Sequence, residues 1–216
     1  ALPEEYEKAH LLISIGQTAR EAKLVPSAYD AYQRAIRLAT LIDNDRAGTF
    51  AWGYLGELYE RENRIDDAML ATRKALFLAQ AIQSPDAIYR WKWQLGRLHR
   101  ANGNVDSAIT AYTGALDAMK PIRHDISLAY GGRNERSGFR NCVGAVFYEQ
   151  ADLLLRRAEI ESDPQRAQQC LRQARDVVEQ LKGAELEDYF RGDCVNLIRS
   201  KSTLIEQSLT RTAVVY

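Results

Sequence analysis

The chain has 216 residues, 46% of them apolar, with 29 basic and 29 acidic side chains and a formal net charge of zero. That balance leaves no electrostatic footprint for nucleic acid, no apolar run is long enough to span a bilayer, and no signal peptide opens the chain. Three cysteines, Cys142, Cys170 and Cys194, are odd in number and lack metal-ligand spacing. They read as reduced thiols of a cytoplasmic protein, with a redox-sensing pair as the alternative.

Taken in order, the opening Ala1-Leu2-Pro3-Glu4-Glu5 looks like an internal start. A first helix is predicted from Tyr6 to about Ala22, with Leu11, Leu12, Ile15 and Ala19 on one face. Pro26 suits the first turn of a second helix, with Ser27 as its cap and Ala28, Tyr32, Ala35, Ile36 and Ala39 inward. Asp43-Asn44-Asp45 closes that helix and caps the next. A second pair runs from Arg46 to Gln83 about a short turn at Glu62-Asn63-Arg64, with Asp66 and Asp67 at a helix start, where negative charge suits the dipole. A third pair begins at Ser84-Pro85-Asp86. It turns at Ala101-Asn102-Gly103-Asn104, where Gly103 supplies a left-handed residue, and ends near Lys120-Pro121.

These pairs repeat. Gly16, Gly56 and Gly96 lie 40 residues apart, and Ala28, Ala68 and Ala108 follow at the same interval. A glycine inside a helix costs about 1 kcal/mol relative to alanine, so three in register predict helices too close for a side chain. Around the second copy stand Trp52, Leu55, Gly56 and Tyr59, then Ala68 and Ala75. This resembles the tetratricopeptide (TPR) signature. The period exceeds the common one of ~34 residues, and the excess is expected in the second helix of each pair.

The register then fails, since Arg136 stands where a fourth glycine is due. The polar stretch 131–138, with Arg133, Arg136 and Arg140 in and beside it, reads as a long connection rather than a phosphate loop. A degenerate fourth pair follows. Val143, Val146, Phe147, Ala151, Leu154 and Leu155 share one stripe, Ser162-Asp163-Pro164 starts the second helix, and Ala167, Leu171, Ala174, Val177, Val178 and Leu181 line it. Lys182-Gly183 is expected to end that helix. The domains are then a repeat domain over 1–182 and a linker over 183–216 leading to a further domain. Thr212-Ala213-Val214-Val215-Tyr216 reads as a strand, which needs a sheet beyond it.

The segments Glu185-Leu186-Glu187-Asp188-Tyr189-Phe190 and Ala213-Val214-Val215-Tyr216, after TPR-like repeats, resemble the junction in bacterial CHAT proteins, caspase-like domains associated with TPRs. The resemblance implies a neighbouring cysteine protease that this chain does not include, so no residue here takes the catalytic role.

The chain shows no catalytic or metal constellation of its own. Its histidines, His10, His99 and His124, are not paired by spacing with a cysteine. His99 holds the packing place of Tyr59. Paired acids such as Glu4-Glu5 and Asp66-Asp67 are adjacent, so they do not face each other on a helix. Binding is the better case. In TPR arrays the first helix of each pair lines the concave face, which would show Ile13, Gln17 and Arg20, then Phe50, Gly53, Glu57 and Glu60, then Arg90, Trp93, Arg97 and Arg100. A tryptophan between arginines suits an extended acidic peptide. The expectation is an all-α, right-handed solenoid of about four TPR-like pairs that binds a protein or peptide, without cofactor, and regulates an attached CHAT protease on which it can also dock. A scaffold or sensor domain of a transcription regulator is the alternative.

Overall fold

The structure is a computed structural model and describes residues 2–123 and 138–190. Among them are eight α-helices and no strand. The helices are α1 (Leu2–Glu21), α2 (Val25–Leu41), α3 (Asp45–Arg61), α4 (Ile65–Ala81), α5 (Pro85–Ala101), α6 (Val105–Met119), α7 (Gly138–Ile160) and α8 (Pro164–Phe190), with a 3-10 turn at Lys120–Ile122 after α6. The fold is all-α. No helix among the described residues is long and apolar enough to cross a membrane.

One turn geometry is used five times. Lys23, Asp43, Asn63, Gln83 and Gly103 all have positive φ, between 50° and 74°, and lie 20 residues apart. After each, the next amide reaches back past the turn: Leu24 to the Ala19 carbonyl at 2.8 Å, and Asn44, Arg64, Ser84 and Asn104 to Ala39, Tyr59, Ala79 and His99 at 2.8–3.0 Å. This is the left-handed closure of a helix end. It divides the 40-residue period into equal halves, so α2, α3, α4 and α5 are each 17 residues long. The extra length is therefore shared by both helices of a pair, and the expected lengthening of the second helix alone is corrected.

Start signals vary. Asn44 accepts the Ala47 amide at 3.0 Å, and Asp163 that of Gln165 at 2.9 Å. At α2 the preceding residue is Leu24 and no side chain caps the helix; Pro26 alone marks its first turn, so the proposed Ser27 cap is not formed. The break expected at Lys182-Gly183 does not occur either, because α8 continues through both residues to Phe190.

Successive helices pack in chain order, and α1 also touches α3 directly, as α3 does α5. Alanines at each crossing bring the backbones close. Ala28, Ala35, Ala47, Ala51, Ala68 and Ala75 are fully buried. Four residues assigned to inward faces are exposed instead: Leu11, Ile15, Leu155 and Leu171. The register explains the first two. Leu11 and Ile15 correspond to Ala51 and Leu55, which are buried against α2, and no described helix precedes α1.

The repeated glycines sit under neighbouring side chains. A Cβ on Gly16 would lie 2.4 Å from the Tyr32 ring, and one on Gly96 would lie 2.7 Å from Tyr112. Sixteen residues after Gly56 the tyrosine is replaced by Thr72, whose Oγ1 would be 2.6 Å away. Tyr32 and Tyr112 are fully buried. The strand proposed at 212–216, the Arg133 and Arg136 loop, His124, Cys142 and Cys194 lie outside the described residues or side chains. Cys170 is a free thiol.

Candidate functional site: the layer of α1, α3, α5 and α7

The odd-numbered helices carry the groups assigned to binding, and an arginine–carboxylate pair recurs among the polar contacts at each of their junctions. Arg20 of α1 pairs with Glu57 of α3. Glu60 of α3 holds Arg97 of α5 through two parallel bonds of 2.8 and 2.9 Å. Arg100 of α5 reaches Asp152 of α7 at 2.9 Å. Residues 20, 60 and 100 occupy one register place, and charge there runs plus, minus, plus. Bidentate guanidinium–carboxylate pairing adds geometric selectivity to charge.

The first two pairs span 37 residues and the third spans 52. The register has therefore shifted by fifteen residues rather than dissolved. On that shift the glycine place sought at Arg136 falls at Ala151, which is buried.

Behind the charged ladder lies a second row. Tyr32 stacks on Tyr54 with ring centroids 6.3 Å apart. At the next junction Gln94 donates to Thr72 Oγ1 at 2.9 Å, and Thr72 in turn donates to the Ala68 carbonyl. At the third, the Tyr112 hydroxyl donates to Glu149 at 2.8 Å. Burial pushes the Tyr32 hydroxyl up to about 12, and burial together with Glu149 pushes Tyr112 higher still. Burial also opposes the charge on Arg97, but Glu60 outweighs it and holds the guanidinium above its ordinary range.

Of the six residues predicted to bind a peptide, three meet on α5. Trp93 is half-buried, the Arg97 guanidinium lies 5.3 Å from its ring centroid, and Arg100 follows within one turn. Each already has a partner within the chain, since Trp93 Nε1 donates to Glu149 at 3.0 Å. Arg90 lies over Tyr89 at 5.6 Å. Phe50 is part of an aromatic group with Tyr54 and Trp91, capped by Arg46 at 5.5 Å. Glu57 is held by Arg20.

Two residues proposed for the groove are packed away. Ile13 is buried, and Gly53 lies beneath the Trp91 indole, whose ring would stand 2.2 Å from a Cβ. Trp91 is thus the packing tryptophan. Its Nε1 donates to Thr49 Oγ1 at 2.9 Å, and Thr49 donates to the Ala75 carbonyl. Of the signature residues, Trp52 lies under the Lys74 ammonium at 4.3 Å, and Tyr59 lies under Arg64 at 4.5 Å. Sequence reasoning missed Thr49, Thr72, Gln94, Glu149 and Asp152. One signal was available, the threonine at 72 where positions 32 and 112 carry tyrosine.

No family model matches the chain, and no curated protein matches it. Among solved structures the chain is similar to the crystal structure of BtubC (BKLC) from P. vanneervenii, with a TM-score of 0.50 and 14% identity over 100% of this chain and 96% of that one. At that identity the likeness bears on the fold alone, and it agrees with an all-α protein.

Proposed function

We propose that the chain is a TPR-like protein-interaction module: a right-handed solenoid of four helix pairs that binds an acidic peptide or protein segment along the odd-helix layer. The 40-residue register, its five like turns and the direct α1–α3 and α3–α5 contacts support the solenoid reading. The observation that carries the binding reading is the half-buried Trp93 with Arg97 on its face and Arg100 one turn on. An aromatic surface flanked by guanidinium groups suits a carboxylate-bearing segment. The ligand's carboxylates compete with Glu60 and Asp152 for the same arginines. Binding therefore biases the junctions α3–α5 and α5–α7, and a ligand shifts a conformation only through such differential contacts.

On the resemblance of the 184–216 segment, the module is cytoplasmic and bacterial, has no enzymatic activity of its own, and controls an attached CHAT cysteine protease by docking or releasing it. The scaffold or sensor half of a transcription regulator is the competing assignment. Were coding sequence found past Tyr216, a strand-rich region with a later histidine and cysteine would support the first assignment and a helix-turn-helix the second.

The binding reading is tested by selecting random displayed peptides on residues 1–216. Enrichment of Asp- and Glu-bearing peptides that lose affinity at least tenfold on Trp93→Ala, with melting within a few degrees of wild type, is the expected result. Enriched peptides indifferent to Trp93 and to charge would overturn it.

A further inference from the structure

We propose a second binding site, for a lysine side chain of a partner protein, at the corner where the start of α2 meets the end of α3. A cavity of about 300 Å³ opens there. Val25, Pro26 and Leu58 supply its apolar lining. Tyr29 and Tyr59 stand beside it with ring centroids 6.4 Å apart. Glu62 and Arg64 make the rim.

The register shows that stacking does not require this cavity. One period later the same corner carries Ile65, Met69, Leu98 and His99. Met69 is 9% exposed and packs into one cluster with Leu98 and Ile65. Tyr29, at the place of Met69, is 42% exposed. The rim differs too, since Asn102 and Asn104 are neutral where Glu62 and Arg64 are charged.

Charge selects the occupant. Arg64 is spent, with its guanidinium on the Tyr59 ring and its charge on Asp67 at 2.6 Å. Glu62 has no ion-pair partner among the described residues. The lip of an apolar, aromatic cavity thus bears one uncompensated carboxylate. A lysine lays its methylene stem on apolar surface while its ammonium seeks charge. Here the stem covers Leu58 and Pro26, and the head meets Glu62 beside the Tyr29 ring, where a cation is favoured. This site is independent of Trp93 and asks for the opposite charge.

N-acetyl-lysine amide is the probe, titrated into the whole chain while the methyl signals of Val25 and Leu58 are followed by NMR. N-acetyl-norleucine amide supplies the same stem without charge. The expected result is a saturable shift with a dissociation constant on the order of millimolar, at least fivefold weaker for norleucine. Glu62→Gln removes the preference for lysine. Tyr29→Met, which installs the residue of the next corner, removes binding without lowering the melting temperature. No saturable shift, equal response to both probes, a preference that survives Glu62→Gln, or binding that survives Tyr29→Met would each overturn the proposal.

Discussion

A helical glycine replaced by alanine ordinarily gains about 1 kcal/mol, so the sign of the change at Gly96 is decided by what the methyl meets. It would stand 2.7 Å from a Tyr112 ring that is fully buried and bonded to Glu149. Overpacking of that kind costs about 1–3 kcal/mol. The balance lowers the unfolding free energy by up to about 2 kcal/mol for Gly96→Ala, read in urea denaturation followed by circular dichroism. Adding Tyr112→Leu, which shortens the obstructing side chain, should remove that loss and let the alanine stabilise by up to about 1 kcal/mol in that background. The sequence made this constraint readable because Gly16, Gly56 and Gly96 share one period. Gly53 stayed hidden, because the indole above it comes from Trp91 on another helix pair, and no local spacing ties the two.

At the scale of the helix and its turn, the left-handed position is the repeated device. Glycine fills it at 103, whereas Lys23, Asp43, Asn63 and Gln83 adopt it with a side chain. A non-glycine residue there costs roughly 1–2 kcal/mol, part of which glycine loses again through unfolded-state entropy. Gln83→Gly is thus expected to stabilise the chain by up to about 1 kcal/mol, read as a higher midpoint of thermal unfolding. Unchanged or lower stability would mean that this turn is held by something other than backbone preference. The five different residue types at this place explain why the 20-residue half-period, and so the equal helix lengths, could not be read from sequence. Helix α8 passing Lys182-Gly183 is the converse case. Glycine permits a stop, but nothing beside it compels one.

Over the whole molecule the three junctions are tied by Arg20–Glu57, Glu60–Arg97 and Arg100–Asp152. The middle pair is bidentate and shielded on both sides, at 20% side-chain exposure for Glu60 and 28% for Arg97. Glu60→Arg sets two cations together and should cost about 1.5–3 kcal/mol. Adding Arg97→Glu restores a pair of the other polarity and should recover most of that loss in a double-mutant cycle. Failure to recover would show that the order of charges, and not only their complementarity, is fixed by the surroundings. The sequence showed that these positions are charged, but their partners lie 37 and 52 residues away. The same arginines therefore read as groups awaiting a ligand, whereas each is already paired within the chain.

That dual role makes Trp93 the direct reporter. The chain has three tryptophans, hence three indole N–H signals in a nitrogen–proton correlation spectrum, assignable by Trp→Phe variants. Trp91 is buried on Thr49, and Trp93 donates to Glu149 at the layer where a ligand is proposed to lie. On titration with an acidic peptide from the display selection, the Trp93 signal should move and saturate with the binding curve, while the Trp91 signal holds. Saturable binding with Trp93 unmoved would contradict recognition at this layer.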